Sequence, residues 1–354
     1  MVSIYKSDKE ELTSRMGLTL TDTESDGYKR RKNKNTFTYY DGTKKIDEDK
    51  IIARLNALAV PPSYTDIWYC KQDNGHIQAI GQDQTGKKQY FYHAKWRTYQ
   101  DSFKYRYLAE IADILPSWRR KIRKDLKQEH SNEKKRLLAT MGRLLDRTGM
   151  RIGNKASAQE NKTFGMTTLR KNHIKQVDEH CCKLSYKGKG DVKIERKLHD
   201  ALLCDILQDI IEHHGQDLFT YEDRSGETHQ ISASTFNSYL KETTNIDEMS
   251  AKDLRTWRFS VLFLETLCKL KNKDGKVTQT AVLETISEIT GNTPAILKES
   301  YIHPGLLDMA KEDNLSPLKK CMDEKVHGLR KYEAVFKAYL KSRHAATHVA
   351  PINI

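Results

Sequence analysis

Between residues 45 and 95 the chain alternates apolar and polar positions in three short runs. The runs read TDIWYC, GHIQAIGQD and KQYFYHAKW, and Gly or Asn-Gly turns separate them. Because the side chains of a strand point alternately to its two faces, this period of two predicts half-buried strands. We therefore expect a small antiparallel sheet, preceded by the apolar segment IIARLNALAVPP, which two prolines end.

From about residue 104 the apolar period lengthens to that of a helix. Trp118, Ile122 and Leu126 recur every four residues, which places them on one helical face. Two more helical stripes are formed by Leu137, Leu138, Met141, Leu144 and Leu145, and by Leu202, Leu203, Ile206, Leu207, Ile210 and Ile211. Gly215 follows the last stripe and predicts the end of its helix.

Three local signals refine this helical part. Ser250 and Asp253 in SAKDLRTWRF form a variant capping box, which predicts the start of a strong helix. The stretch HIKQVDEHCCKLSYKGKGDVKIERKL, from 173 to 198, returns to a period of two around a GKGD turn, which predicts short strands. Pro304 and the residues after it predict that another helix begins there.

These patterns predict an α+β fold with more than one domain, since 354 residues is long for a single core. A small N-terminal antiparallel β-rich domain would occupy residues 41–100. A larger, mostly α-helical domain with a small embedded sheet would occupy 101–340. Residues 1–40 are polar with little periodicity and predict a loosely held arm, and 341–354 predict a C-terminal tail.

The sequence contains no signal for secretion or membrane insertion. The opening MVSIYKSDKE has no apolar stretch, and apolar windows such as SVLFLETLCKL are broken by charges within a few residues. None of the six cysteines forms a C-x-x-C pair, so free thiols in a reducing compartment are expected. We expect a cytosolic protein.

The charge balance points to a polyanionic partner. The net charge is +13 and the isoelectric point is about 9.2, values typical of proteins that bind nucleic acid. Residues 95–151 hold 16 Lys and Arg against 7 Asp and Glu, and so carry +9 of this charge. At that density, phosphate contact is favoured over a merely solvated basic face.

The stretch GQDQTGKK, from Gly81 to Lys88, nearly matches a phosphate-binding P-loop, but its last position is not Ser or Thr. A strand-like QYFYH follows it, whereas a P-loop requires a helix there. A basic hairpin turn is therefore expected and not an ATP site. Tyr90 and Tyr92 beside Lys87 and Lys88 fit two interpretations equally, a DNA-contacting groove and a half-buried strand.

Nucleic-acid chemistry in this chain is not predicted to use metal ions, because its acidic residues are spread among lysines and not clustered. One remaining option is a tyrosine nucleophile. A phenol is a weak nucleophile at neutral pH, and the pentacoordinate phosphorus that it forms gains negative charge. Such an enzyme needs bidentate guanidinium groups at the phosphate and a general acid for the departing 5′ oxygen.

Six blocks, in order, resemble the type IB DNA topoisomerases, particularly the short bacterial and poxvirus-type enzymes. Four of the blocks are LLDRTGMRIGNKASAQENKTFGMTTLRKNHI, YKGKGDVK, KDLRTW and GNTPAILKESYIHP, between residues 144 and 304. The other two, PPSYTDIWYC and GKKQYFYHAKWR, resemble the N-terminal clamp domain of that family. The resemblance runs from about residue 45 to 310.

The resemblance implies roles for five residues. Tyr301 in KESYIHP corresponds to the nucleophile that becomes linked to a 3′ phosphate, and Arg151 and Arg255 to the two catalytic arginines. Lys189 corresponds to the general acid on a β-hairpin, ahead of its neighbour Lys187 as a candidate. Asn292 stands where eukaryotic and poxvirus enzymes have His and bacterial relatives generally have Asn. The amide offers a hydrogen bond but no charge.

The resemblance implies a monomer that clamps supercoiled duplex DNA and relaxes it by cutting and rejoining one strand, with no cofactor and no metal. We also expect association with the nucleoid. The predicted DNA-binding residues are Lys87, Lys88, Gln89, Tyr90, Tyr92, Asn161 and Lys252.

Two alternatives stay open. A tyrosine recombinase would share the catalytic domain and nucleophile, but recombinases typically have His at the start of an H-x-x-R block, where this chain has Lys252 in KDLR. A non-enzymatic, basic DNA-coating protein would satisfy the charge alone. Such a protein would not need Tyr301, and its behaviour would not change if Tyr301 were mutated.

Overall fold

The computed structural model describes residues 9–33, 36–84, 86–128, 133–212 and 215–347. The chain is α+β and divides into two compact units, with the boundary between Lys104 and Tyr105. The helix Ala94–Leu126, called α3 below, contains this boundary. None of the helices in the described residues combines the length and apolarity needed to cross a membrane.

The N-terminal unit is built on one antiparallel sheet of six strands. In chain order the elements are α1 (Lys9–Arg15), β1 (Tyr28–Asn33), β2 (Thr36–Asp41), β3 (Lys44–Lys45), α2 (Asp49–Ala57), β4 (Thr65–Tyr69), β5 (Ile77–Gln82) and β6 (Lys88–Tyr92). The strand order across the sheet is β3-β2-β1-β4-β5-β6. The core of this unit is formed by Tyr39, Ile46, Leu55, Val60, Ile67, Tyr69 and Ala79.

The strands predicted between residues 45 and 95 correspond to β4, β5 and β6. The prediction of a loose arm over residues 1–40 is wrong for much of its described part, because β1 and β2 lie inside the sheet. The β1 sequence YKRRKN has almost no apolar residue, and the β2 sequence TFTYYD alternates over only four positions. Backbone pairing defines these strands instead: β1 pairs antiparallel with β2 over six residue pairs and also pairs with β4.

The C-terminal unit is mostly helical. After α3 its elements are α4 (Glu133–Thr148), α5 (Lys155–Glu160), β7 (Ile174–Asp178), β8 (Cys181–Lys187), β9 (Lys193–His199), α6 (Ala201–Glu212), β10 (Thr220–Glu222), β11 (Thr228–Gln230), α7 (Ala233–Thr244), α8 (Ala251–Asp274), α9 (Gln279–Thr290), α10 (Pro294–Ser300), α11 (Pro304–Lys311) and α12 (Lys331–Thr347). The predicted stripes on α3, α4 and α6 face one large core.

Two features of this unit differ from the sequence analysis. A second, two-stranded sheet, β10–β11, accompanies the predicted sheet of β7, β8 and β9. The predicted tail from residue 341 is helical as far as Thr347, because α12 continues through it; residues 348–354 lie outside the described residues. All six cysteines are buried and free, as expected.

The strongly basic segment 95–151 is less available to phosphate than its composition suggested. Arg119 pairs with Asp146 at 2.6 Å and with Glu333 at 2.7 Å. Arg143 and Arg147 both pair with Asp200, and Lys121 and Arg136 pair with Asp125 and Asp209. Several cations of this segment therefore hold helices together inside the fold.

Candidate active site

A cavity of about 530 Å³ in the C-terminal unit brings together residues that lie up to 150 positions apart in the sequence. Arg151, Lys189, Lys252, Arg255 and Tyr301 line it, together with Ile152, Asn237, Ser250, Ala251, Ile296 and Ser300. The cavity wall thus presents four cations, and none of the described residues that form it is acidic. Such a wall suits a phosphate group.

Tyr301 directly follows the short helix α10, which Thr293 caps and Pro294 begins. Its side chain is only 5% exposed, and its ring meets Phe259 edge-on at 5.1 Å between centroids. The guanidinium carbon of Arg255 lies 4.8 Å from the centroid of the same ring. Because Arg255 and Phe259 are one turn apart on α8, this helix holds the tyrosine ring from two sides.

The backbone at Tyr301 is fixed by Ser260, another residue of α8. The hydroxyl of Ser260 donates to the carbonyl oxygen of Tyr301 at 2.9 Å and accepts from the backbone N–H of His303 at 3.0 Å. Ser260 was not among the site residues predicted from the sequence. The available signal was one polar position in the otherwise apolar run FSVLFL, which is fully buried in the structure.

Arg255 is buried at the bottom of the site. Its Nε donates to the carbonyl oxygen of Gly149 at 2.7 Å. Burial lowers the pKa of Arg255 to about 10; the nearby cation Arg151 acts in the same direction, and Tyr301 opposes it. Because burial makes this guanidinium costly to charge, it would gain more from an anionic ligand than an exposed guanidinium would.

The other arginine is oriented by the amide of Asn292. Nη2 of Arg151 donates to Oδ1 of Asn292 at 2.7 Å, and Nδ2 of Asn292 donates to the carbonyl oxygen of Thr290 at 3.2 Å. Asn292 is 4% exposed and lies in a smaller adjoining cavity, which Arg151, Lys189 and Arg255 also line. One of its two Nδ2 protons therefore has no partner among the described residues.

The two lysines of the β8–β9 hairpin differ in their surroundings. Lys187 pairs with Asp191 of the same hairpin at 2.9 Å. Lys189, at the tip, is exposed, lines both cavities and pairs with none of the described residues. Lys189 is thus free to reach a ligand, whereas Lys187 is already engaged.

His303 has a structural role. Its Nδ1 accepts from the backbone N–H of Gly305 at 3.1 Å and thereby caps α11. Its ring packs against Tyr105, Phe336 and Tyr339 at centroid distances of 5.3 to 6.0 Å. It does not line either cavity. His303 therefore packs in the core and caps a helix, and it is not part of the candidate site.

The predicted DNA-binding residues fall into separate groups. On β6 of the N-terminal unit, Lys88, Tyr90 and Tyr92 share an exposed face, and the two tyrosine rings stack at 6.4 Å. Gln89 points to the opposite face and donates to Asp83 at 2.7 Å. Exposed Lys87 belongs to the turn before β6.

The remaining two belong to the C-terminal unit. Lys252 is exposed in the wall of the large cavity, and Asn161 is exposed at the end of α5.

One cluster in the described residues has the composition of a metal site. Asp223, Glu227 and His229 converge at the β10–β11 turn. The Asp223 carboxylate is already occupied there by the backbone of Ser225 and Glu227 and by the ring of His229. This cluster does not line either of the two cavities described above.

Two protein-family models match the chain. A family model described as "Eukaryotic DNA topoisomerase I, catalytic core" matches residues 93–296, more than half of the chain. A model described as "Bacterial DNA topoisomerase IB, N-terminal domain" matches residues 36–83.

Individual relatives agree with these models. The DNA topoisomerase 1B of Acanthamoeba polyphaga mimivirus is 26% identical over 290 residues, which cover 78% of this chain and 85% of the viral protein. That of Vaccinia virus (strain Copenhagen) is 21% identical over 281 residues, which cover 76% and 84%. Among solved structures, XerH site-specific recombinase bound to palindromic difH substrate matches 53% of this chain and 47% of that one, at 16% identity and a TM-score of 0.36.

Proposed function

The chain belongs to the DNA topoisomerase I family, in its short type IB form, and we propose that it relaxes supercoiled duplex DNA by cutting and rejoining one strand. The observation that carries this proposal is the cavity in which Tyr301 meets four cations and no described acidic residue. A tyrosine surrounded in this way can attack a phosphodiester whose charge the cavity wall balances.

In the proposed cleavage step, the phenolic oxygen of Tyr301 attacks the scissile phosphorus. A bond forms between that oxygen and phosphorus, the bond from phosphorus to the 5′ oxygen breaks, and the phenolic proton is released. The product is a 3′-phosphotyrosyl linkage and a strand that ends in a 5′ hydroxyl. Contacts of Tyr301 with Phe259, Arg255 and Ser260 limit its movement, which reduces the entropy cost of the attack.

Arg151 and Arg255 would stabilise the extra negative charge of the pentacoordinate phosphorus. Both guanidinium groups line the cavity and are fixed before substrate arrives, by Asn292 and by the carbonyl of Gly149. Preorganised donors of this kind need no rearrangement as the charge develops, and each typically contributes a factor of about 10²–10³ to the rate. The unpaired Nδ2 proton of Asn292 would add a neutral donor.

Lys189 would supply the proton that the departing 5′ oxygen needs. It is the hairpin lysine without a partner among the described residues, and its ammonium group carries a transferable proton. In the reverse step the same residue would take that proton back when the 5′ hydroxyl attacks the phosphotyrosine.

Relaxation would occur while the strand is cut. The free end turns about the intact strand, torsional strain falls, and the 5′ hydroxyl then reseals the break. The phosphotyrosyl bond conserves the energy of the phosphodiester, so we propose a reaction that consumes no ATP. Because guanidinium groups supply the positive charge at phosphorus, we also propose that no metal ion takes part.

Further DNA contacts are proposed on both units. In the N-terminal unit, the exposed Lys87, Lys88, Tyr90 and Tyr92 would bind the sugar-phosphate backbone, and Gln89 would act there as well if it left Asp83. In the C-terminal unit, Lys252 and Asn161 would do the same. Such contacts supply affinity that falls with salt. We propose a monomer that acts in the cytoplasm at the nucleoid.

The test is relaxation of a negatively supercoiled plasmid in EDTA without ATP, by wild type and by Tyr301→Phe. Phenylalanine keeps the ring contacts with Phe259 and Arg255 and removes only the nucleophile. We expect wild type alone to relax the plasmid and to form a covalent adduct with DNA labelled on the 5′ side of the break. Equal relaxation by both proteins would contradict the role of Tyr301. Binding without relaxation by either would favour a recombinase or a DNA-coating protein.

A further inference from the structure

One guanidinium outside the predicted site joins three segments that carry the proposed catalytic residues. Arg196 lies on β9, in the hairpin whose tip is Lys189. Its Nη1 donates to the carbonyl oxygen of Thr148 at 2.5 Å, and its Nη2 donates to that of Thr290 at 2.8 Å. Arg196 was not among the site residues predicted from the sequence.

The two carbonyl acceptors belong to residues that come shortly before Arg151 and Asn292 in the sequence. Thr148 is the last residue of α4 and precedes Arg151 by three positions. Thr290 is the last residue of α9, precedes Asn292 by two, and itself accepts from the Asn292 amide. The last carbonyls of a helix lack partners within it, so a charged donor there fixes the chain that leaves the helix.

The charge of Arg196 has no counterion within the described part of the chain. Arg196 forms no ion pair there, and its Nε is buried without a hydrogen-bond partner. It lines the small cavity together with Arg151, Lys189 and Arg255, all of them cations. Burial lowers the pKa of its guanidinium below the ordinary value. A buried charge without a partner destabilises a fold, and the two carbonyls compensate only in part.

We propose that Arg196 is a positioning residue, which holds the Lys189 hairpin, the Arg151 segment and the Asn292 segment in one geometry around the transferring phosphate. The proposal rests on the proposed function. Arg196 would not need to touch the DNA: its two bonds set where the other groups stand, and its charge adds to the field at the phosphate. A misplacement of about 1 Å in such a site costs about 10²-fold in rate.

The first experiment measures single-turnover cleavage of a labelled duplex by Arg196→Met, Arg196→Lys and the control Lys197→Met. Lys197 is the next residue on β9, faces the opposite side of the sheet and is exposed, so its loss removes the same charge without the two bonds. We expect Arg196→Met to be slower by about 10²-fold. Arg196→Lys should cleave less than tenfold faster than Arg196→Met, because an ammonium lacks the planar fork that reaches both carbonyls. The control should stay within about threefold. Full recovery by lysine would contradict positioning by the fork.

The second experiment separates positioning from a general loss of folded protein. It measures Arg196→Met alone and combined with Asn292→Ala, with thermal unfolding of each variant. If Arg196 acts through Asn292, the loss caused by Arg196→Met should be at least fivefold smaller in the Asn292→Ala background. Equal losses in both backgrounds, with wild type active, would overturn this inference and leave the proposed function intact. Absence of cleavage by wild type would overturn both.

Discussion

Nη2 of Arg151 donates a hydrogen bond to Oδ1 of Asn292 at 2.7 Å, across 141 residues of sequence. The amide is held in turn by Thr290, so the guanidinium of Arg151 has a fixed orientation before any substrate is bound. In this chain Asn292 therefore supports Arg151, in addition to any hydrogen bond that it offers to the phosphate. An amide suits this role because it accepts and donates at once and adds no charge.

Substitution of Asn292 tests this relationship. We expect Asn292→Ala to slow single-turnover cleavage by about 10²-fold, because Arg151 loses its orientation. Asn292→Asp should be slower still, since a carboxylate pairs with Arg151 and adds negative charge where negative charge develops. Asn314→Ala, at an exposed position in the loop after α11, is the control and should leave the rate unchanged. Cleavage by Asn292→Asp at the wild-type rate would rule out the arrangement.

The two hairpin lysines should differ strongly in their effect on catalysis. Lys189→Ala should slow cleavage by about 10²–10⁴-fold, as expected for loss of a general acid. Most of this loss should disappear on DNA whose 5′-bridging oxygen is replaced by sulfur, because a thiolate leaves without a proton. Lys187→Ala removes only an exposed pair with Asp191 and should change the rate less than fivefold. A defect in Lys189→Ala of the same size on both DNAs would exclude the acid role.

Gly149 should tolerate no side chain. Its φ is +61°, and an added Cβ would lie 2.7 Å from Cε1 of Phe259. Gly149→Ala combines backbone strain with overpacking, and we expect a loss of about 2–4 kcal/mol in the free energy of unfolding. Cleavage should also slow, because the Gly149 carbonyl positions Arg255. Gly226→Ala is the matched control: its φ is +82°, but the added Cβ meets open space. Denaturant unfolding should show a clearly smaller loss in the free energy of unfolding for Gly226→Ala than for Gly149→Ala. Equal losses would mean that the contact with Phe259 is unimportant.

The sequence predicted much of the C-terminal unit because its signals are local. The capping box of Ser250 and Asp253 forms as expected, with the Asp253 carboxylate accepting from the Ser250 N–H at 2.9 Å. The strands of the hairpin at Lys189 likewise follow from a period of two around a turn. By contrast, β1 and β2 were missed because YKRRKN has almost no apolar residue and TFTYYD alternates over only four positions. Backbone pairing of the two strands with each other and with β3 and β4 defines them instead.

The site shows the same division between local and distant signals. The resemblance named Arg151, Lys189, Arg255, Asn292 and Tyr301 from short motifs around each residue. It could not name Gly149, Arg196 or Ser260 as their supports, because each acts through hydrogen bonds whose partners lie far away in the sequence. The hydroxyl of Ser260 reaches across 41 positions and the guanidinium of Arg196 across 94. Only folding brings these partners together.

Ser260 should affect catalysis through the backbone of Tyr301. Ser260→Ala leaves the buried carbonyl of Tyr301 and the N–H of His303 without their partner, which should cost about 1–3 kcal/mol of stability. We expect cleavage to slow by roughly tenfold with DNA affinity unchanged, since the nucleophile loses its fixed position. Ser260→Thr keeps the hydroxyl and should retain more activity. In the control Ser342→Ala the lost bond joins only Ser342 to Tyr339 of the same helix. If Ser260→Ala cleaved as fast as Ser342→Ala, Ser260 would have no role in positioning.

The acid stability of the C-terminal unit should depend on Asp146. Its carboxylate accepts hydrogen bonds from Arg119 at 2.6 Å and from Arg330 at 2.6 Å, and so joins α4 to α3 and to the segment before α12. Burial alone would raise the pKa of Asp146, but Arg330 and Arg119 outweigh it and hold the pKa below its ordinary value. A lowered folded-state pKa means that this stabilisation is complete above the unfolded-state pKa of about 3.9 and is lost as the pH falls below it.

We therefore expect Asp146→Asn to lower the free energy of unfolding by about 3 kcal/mol at pH 7, since it leaves two arginines with one carboxylate fewer. The difference from wild type should shrink as the pH falls below about 4, because protonation removes the same charge from wild type. Urea unfolding from pH 7 to pH 3 measures both. Asp191→Asn breaks only the exposed pair with Lys187, so it should change the free energy of unfolding little at any pH in this range. If the difference in unfolding free energy between wild type and Asp146→Asn stayed constant down to pH 3, its cause would be packing or hydrogen-bond geometry and not the charge of the carboxylate.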